Sequence, residues 1–145
     1  VGAPYNDAGH VRVYTWDKTT AAPDVGEWVQ KGADIEGKAS GDQSGTSVSL
    51  SDDGLTLAVG APYNDSTGNN AGHVRVYGWY EAAAAPGVGL WVQIGSDIEG
   101  EASDDVSGTS VSLQVMDSHW LLVHLIMMRV MSGFIRGIRR LLLLT

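Results

Sequence analysis

The chain has 145 residues, 19 of them glycine and none cysteine, and a formal net charge of −8. Without cysteine there is no disulfide framework and no thiolate metal site, and the glycine content suits short strands and tight turns better than helices. The charge is divided: residues 1–113 carry −11 and residues 114–145 carry +3, and the acidic body repels phosphates, which argues against a nucleic-acid partner.

The first element expected is a strand over Gly9–Trp16, where His10, Arg12 and Tyr14 alternate with valines at the period of two that a pleated strand requires. A second strand is expected over Glu27–Ile35 and a third over Thr46–Leu50, the latter with small polar residues on one face. The fourth, Leu55–Val59, is almost wholly apolar and is expected to be buried. Between the third and fourth stands Asp52-Asp53-Gly54, a hairpin signal, because glycine accepts the positive φ of a tight turn.

These elements then repeat. VGAPYND at residues 1–7 returns at 59–65, and residues 8–50 return at 71–113 with 31 of 43 positions identical. The offset grows from 58 to 63 because Ser66–Asn70 (STGNN) is inserted in the second copy. The repeat region is therefore 1–113, with a unit boundary near 58/59. Four short strands in about 60 residues match one β-propeller blade. The expected class is all-β, a propeller fragment of about two four-stranded antiparallel blades. The chain starts inside a unit, and further blades of a complete propeller are expected outside it.

After Leu113 the repeat stops. All four methionines and the single phenylalanine lie in residues 114–145. Codons can be chosen for this tail so that the neighbouring frame reads SGDGLTLAVGAPYND followed by AGHVRVYTWDKTT, a third copy of the unit. The tail is therefore read as a frameshifted third repeat, expected to be helical or disordered and not to mimic a third blade. Its apolar stretch, Trp120–Met128, is too short for a membrane span.

The unit resembles the FG-GAP repeats that form integrin-α-type β-propellers. The residues carrying the resemblance are SGTSVSLSDDG, the apolar strand leading into Gly60-Ala61-Pro62, and the GHVRVY that follows. The resemblance implies a binding or adhesion scaffold, extracellular or at a cell surface, whose partner is a protein or a glycan. Many such repeats hold calcium in a D-x-[DN]-x-[DN]-G-x-x-D loop. Aligning Gly54 with its glycine places Ser49, Ser51, Asp53 and Leu57 at the ligand positions, too few carboxylates for calcium. No metal, cofactor or catalytic residue is therefore assigned.

Other residues have plainer readings. His10 and His73 have no ligand partner at short spacing and are expected to be repeated strand positions. Arg12 and Arg75 are expected on a solvated or cross-strand-paired face. Asp34/Glu36 and Asp97/Glu99, in the two DIEG segments, are expected in surface turns. Trp16, Trp28, Trp79 and Trp91 are expected to pack blade on blade, Trp28 and Trp91 above all. Asn64-Asp65-Ser66 is a glycosylation sequon with Asn64 as the acceptor. The competing reading, a propeller-fold enzyme, needs catalytic residues that break the repeat. The differences Asp17/Tyr80, Glu27/Leu90 and Lys31/Ile94 form no such constellation.

Overall fold

A computed structural model of the chain describes residues 1–18, 26–82, 88–116, 119–125 and 141–143. Among these the regular elements are all strands. They are β1 (Gly2–Ala3), β2 (His10–Val11), β3 (Tyr14–Asp17), β4 (Glu27–Gln30), β5 (Ile35–Glu36), β6 (Ser47–Leu50), β7 (Thr56–Ala61), β8 (His73–Glu81), β9 (Gly89–Gln93), β10 (Ile98–Glu99), β11 (Ser110–Met116), β12 (His119–Leu125) and β13 (Leu141–Leu143).

The central sheet is an antiparallel meander, β6-β7-β8-β9, with β10 added beside the start of β8. The meander takes β6 and the first half of β7 from one sequence repeat, and the rest of β7 with β8 and β9 from the next. The repeat boundary at 58/59 lies inside β7, so the sheet and the sequence repeat are out of phase. Hydrogen bonding across β7 joins the two repeats into one body.

The β6–β7 hairpin turns where Asp-Gly indicated. Gly54 takes φ of 68°. Its N–H donates to Ser51 O at 2.8 Å, and Ser51 N–H donates to Thr56 O at 2.8 Å. Asp53 Oδ1 accepts from Ser51 Oγ at 2.6 Å and from Leu55 N–H at 2.9 Å. Those bonds, Ser51 first, hold the Asp53 carboxyl below the usual carboxylate range. Its oxygen is thus occupied in forming the turn.

The first repeat reproduces this sheet in part and in the same register. Val11 faces Ile35 as Val74 faces Ile98, and Trp16 faces Trp28 as Trp79 faces Trp91. The counterpart of β8 is interrupted, however. His10–Val11 belongs to the β1-β2-β5 sheet and Tyr14–Asp17 pairs only with β4. The expected single strand over Gly9–Trp16 is thus two strands. β1, the two-residue counterpart of the end of β7, supports β2 alone.

Strand alternation then builds two cores. Leu57, Val59 and Tyr77 pack on Val11, Val13 and Ile35 of the first repeat, with Trp91 against them. From the other face of the same sheet, Ala58 and Val74 pack on Val111, joined by Val76, Ile98 and Leu113. With both faces covered, every residue of β7 is buried.

The small side chains of β6 explain how closely the next sheet approaches. Ser47 Oγ donates to Gly108 O at 2.6 Å, and Ser49 Oγ accepts from Leu113 N–H at 3.0 Å. Glycines align in the same place. A Cβ on Gly2 would collide with Gly45 O, and a Cβ on Gly60 would collide with Gly108 O. The glycine of each Gly-Ala-Pro therefore meets the glycine of the following Ser-Gly-Thr, and that contact sets the spacing between sheets.

Most of the tail lies outside the described residues, and only its described strands differ from expectation. Residues 119–125 and 141–143 are strands rather than helix or disorder, with β12 lying between β11 and β13. In the central hairpin Ser47 faces Gly60. The equivalent Ser110, 63 residues on, would face residue 123 but faces Leu125, a slip of two residues. β12 therefore stands where the second strand of a third hairpin would stand. An apolar run beside the open edge of β11 pairs with it because unpaired backbone groups recruit any extended neighbour.

Candidate functional site

Two features lie together where β7 ends and β8 begins. One is a polar hollow of about 470 Å³ between the loop of residues 38–43 and the loop of residues 63–70. The other is a cluster of the buried His73 with the half-buried Asp97 and Glu99. Lys38 belongs to both: it lines the hollow, and its Nζ lies 2.6 Å from Asp97 Oδ2.

The hollow is held open by local bonds. Asp42 is buried, and its Oδ2 accepts from Ala39 N–H at 3.0 Å and from Asn64 Nδ2 at 2.9 Å. Asn64 Oδ1 accepts from Ser66 N–H at 3.0 Å. Asp42 and Asn64 therefore tie the two loops together across the repeat boundary.

This placement corrects the glycosylation expectation. Asn64 is only 4% exposed and its amide nitrogen is committed to Asp42. A glycan on that nitrogen is incompatible with the packing. The short sequon match carried no information about burial.

The insertion Ser66–Asn70 is anchored on the facing loop of its own repeat. Thr67 Oγ1 donates to Gly100 O at 2.8 Å, and Asp104 N–H donates to Asn69 O at 2.8 Å. Tyr63, beside it, is 42% exposed, and its counterpart Tyr5 is 87% exposed.

The cluster arises from the register of β8 and β10, in which Glu99 stands opposite His73. His73 Nδ1 lies 3.6 Å from Asp97 Oδ2 and 3.9 Å from Glu99 Oε2. The His73 side chain is fully buried, and neither ring nitrogen has a hydrogen-bond partner. Burial pushes its pKa down to about 4, against the opposing pull of Asp97, so the ring is neutral at physiological pH. Burial raises the Glu99 carboxyl, with the Asp97 charge adding to it. Burial also works to raise Asp97, but hydrogen bonds from Lys38 and Gln93 outweigh it and hold that carboxyl low.

Two expectations need correction here. His73 does have carboxylate partners, and Asp97 and Glu99 are not in a surface turn. The separation of 24 residues hid the cluster, because only strand pairing closes it. A signal did exist: the histidine and the DIEG segment recur at the same separation in both repeats.

In the first repeat His10 likewise stands opposite Glu36, but the polar partners differ. Arg12 Nε donates to Asp34 Oδ2 at 2.8 Å, and His10 Nδ1 lies 3.3 Å from Asn6 Nδ2. Arg12 is exposed and pairs across the strands, as expected. Arg75 is not on a solvated face. It is buried, and its guanidinium donates to Glu36 O at 2.8 Å and Ser44 Oγ at 3.2 Å in the preceding repeat. The face that alternation marked as polar is thus an interface between sheets.

The tryptophans divide similarly. Trp79 is buried, and Trp91 Nε1 donates to Lys31 O at 2.9 Å, so this pair joins the repeats. Lys31 Nζ sits 4.8 Å from the centre of the Trp79 ring. Trp28 is 67% exposed and touches its own repeat's Trp16 edge-on, with no second sheet over it among the described residues.

The fold and these interfaces define an all-β chain of repeated antiparallel blades packed face to face. Residues 36–77 match the family model of the FG-GAP repeat. No curated protein matches the chain. Among the described residues, no helix is long and apolar enough to cross a membrane.

Proposed function

We propose that the chain is a non-catalytic binding scaffold, part of a larger β-propeller, which presents the loops of residues 38–43 and 63–70 to a glycan or protein ligand. The observation that carries this reading is the polar hollow between loops of successive repeats, rimmed by the exposed ring of Tyr63. Loops on a rigid scaffold are the usual carriers of recognition. A tyrosine supplies both a flat apolar face and a hydroxyl for stacking on a sugar or a peptide. An extracellular or cell-surface setting accords with the FG-GAP repeat. An enzymatic reading is weaker because the His73 side chain, beside Asp97 and Glu99, is fully buried.

Residues 114–145 fit this reading as the third repeat read out of frame. β12 occupies the position of the missing strand with a slipped register, and the neighbouring frame can encode the strand that belongs there.

Probing a glycan array with the purified chain tests the proposal. At least one class of glycan should be retained, and Tyr63→Ala or deletion of residues 66–70 should reduce that retention at least tenfold. Retention unaffected by both changes would place the binding surface elsewhere and overturn the assignment to these loops.

A further inference from the structure

We propose that His73, Asp97 and Glu99 form a binding site for a divalent transition-metal ion such as Zn²⁺, and that Lys38 competes internally for it. The three ligand atoms, His73 Nδ1, Asp97 Oδ2 and Glu99 Oε2, all lie within 4.8 Å of one another. The nitrogen lies 3.6 and 3.9 Å from the two oxygens. Tetrahedral zinc with bonds of about 2.0–2.2 Å sets its ligands roughly 3.3–3.5 Å apart. The two distances from the nitrogen need to shorten by only a few tenths of an ångström, and the two carboxylate oxygens, within 4.8 Å of each other, must close by up to about an ångström, a movement the Glu99 side chain can supply.

The second observation concerns His73 itself. It is fully buried with both ring nitrogens unpartnered, and its Nδ1 lies against two carboxylate oxygens. An acceptor lone pair on neutral Nδ1 repels those oxygens; a cation among the three turns that repulsion into coordination. Lys38 supplies part of the missing charge by placing Nζ 2.6 Å from Asp97 Oδ2, but it leaves Glu99 Oε2 and His73 unserved.

Outer contacts orient the ligands as metal sites require. Gln93 Nε2 donates to Asp97 Oδ1 at 2.8 Å, turning the other oxygen inward. The pairing of β8 with β10 fixes Glu99 opposite His73. The Glu99 side chain is 28% exposed although its Oε2 is buried, so entry of the ion requires that side chain to swing outward. One imidazole with two carboxylates is a borderline donor set, suited to zinc, cobalt or manganese. Calcium prefers six to eight oxygens. The site is also separate from the Asp52-Asp53-Gly54 turn, where Asp53 is already committed.

The first repeat shows why the site forms only once among the described residues. There Arg12 neutralises Asp34. In the second repeat the equivalent Arg75 is drawn to Glu36 O and Ser44 Oγ of the preceding repeat, and Asp97 is left to a lysine on a loop.

The test is calorimetric titration of the metal-free full chain with Zn²⁺, together with the visible spectrum of the Co²⁺ form. One saturable site per chain is expected, with tetrahedral cobalt bands and no displacement by Ca²⁺. Asp97→Asn should weaken Zn²⁺ binding at least tenfold, and Lys38→Met should tighten it about tenfold, while His10→Gln leaves it unchanged. Lys38 lies on an exposed loop, so Lys38→Met keeps the test valid even if Asp97→Asn misfolds. The proposal is overturned if Lys38→Met binds no Zn²⁺, if its affinity equals that of the parent chain, or if His10→Gln abolishes binding.

Discussion

Replacing Gly60 with alanine is expected to cost about 3 kcal/mol of stability, at the upper end of the range for overpacking a close contact. Gly60 has no positive φ, so backbone freedom is not the reason. The reason is space: a Cβ there would fall on Gly108 O and Ser47 Oγ. Neither can retreat easily. Gly108 O accepts the Ser47 hydroxyl at 2.6 Å, and Gly108 itself sits at φ of 90° in a loop clamped on β7. Gly95→Ala is the control. Gly95 also lies at positive φ, 72°, but has open space around its Cα. Its loss should stay near the ~1 kcal/mol of a left-handed alanine. Urea unfolding of both variants measures the difference. A Gly60→Ala loss no larger than that of Gly95→Ala would show that the glycine contact does not set the spacing between sheets.

The second large effect is acid destabilisation from His73. Its folded pKa is about 4, below the ~6.5 of an unfolded histidine. The unfolded chain therefore binds a proton first as pH falls. The stabilisation is complete above about pH 6.5 and lost progressively toward the folded value, about 3 kcal/mol in all at roughly 1.4 kcal/mol per pH unit. The neighbours act in known directions. Glu99, raised in the fold, takes up its proton more readily when folded and so offsets part of the loss near the bottom of the window. Asp97, lowered, adds to the loss only below the ordinary carboxylate range. Arg75 and Lys38 help keep the ring neutral, while Asp97 and Asp42 oppose them. Urea unfolding between pH 7 and 5 in the presence of a chelator should show stability falling with acidity. That slope should be absent in His73→Gln. Parallel pH profiles for the two proteins would refute the assignment.

Much of the fold was legible because repetition and alternation encode it directly. Asp52-Asp53-Gly54 marked the hairpin, and the apolar LTLAV marked a buried strand. The phase of the blade was not legible. The sequence repeat says only that a pattern recurs, and the choice of where a sheet begins depends on which strands pair. The site was hidden for a related reason. His73 and Asp97 are 24 residues apart, and only the pairing of β8 with β10 brings them together. Arg75 looked like a surface residue because alternation separates polar from apolar faces but does not reveal that a second sheet covers the polar one. Residues 119–125 differed from expectation because an apolar run pairs with an available strand edge whether or not it was selected to do so.

Amide hydrogen exchange resolved by residue tests the central claim, that one blade straddles two sequence repeats. Residues 56–61 and 73–79 should exchange most slowly and with a common free energy of opening, because β7 and β8 share one hydrogen-bond ladder and both cores. Residues 14–17 and 27–30, in an isolated two-stranded sheet with exposed side chains, should exchange much faster. Separate opening of residues 8–58 and 59–113, each as its own cooperative unit, would contradict the account.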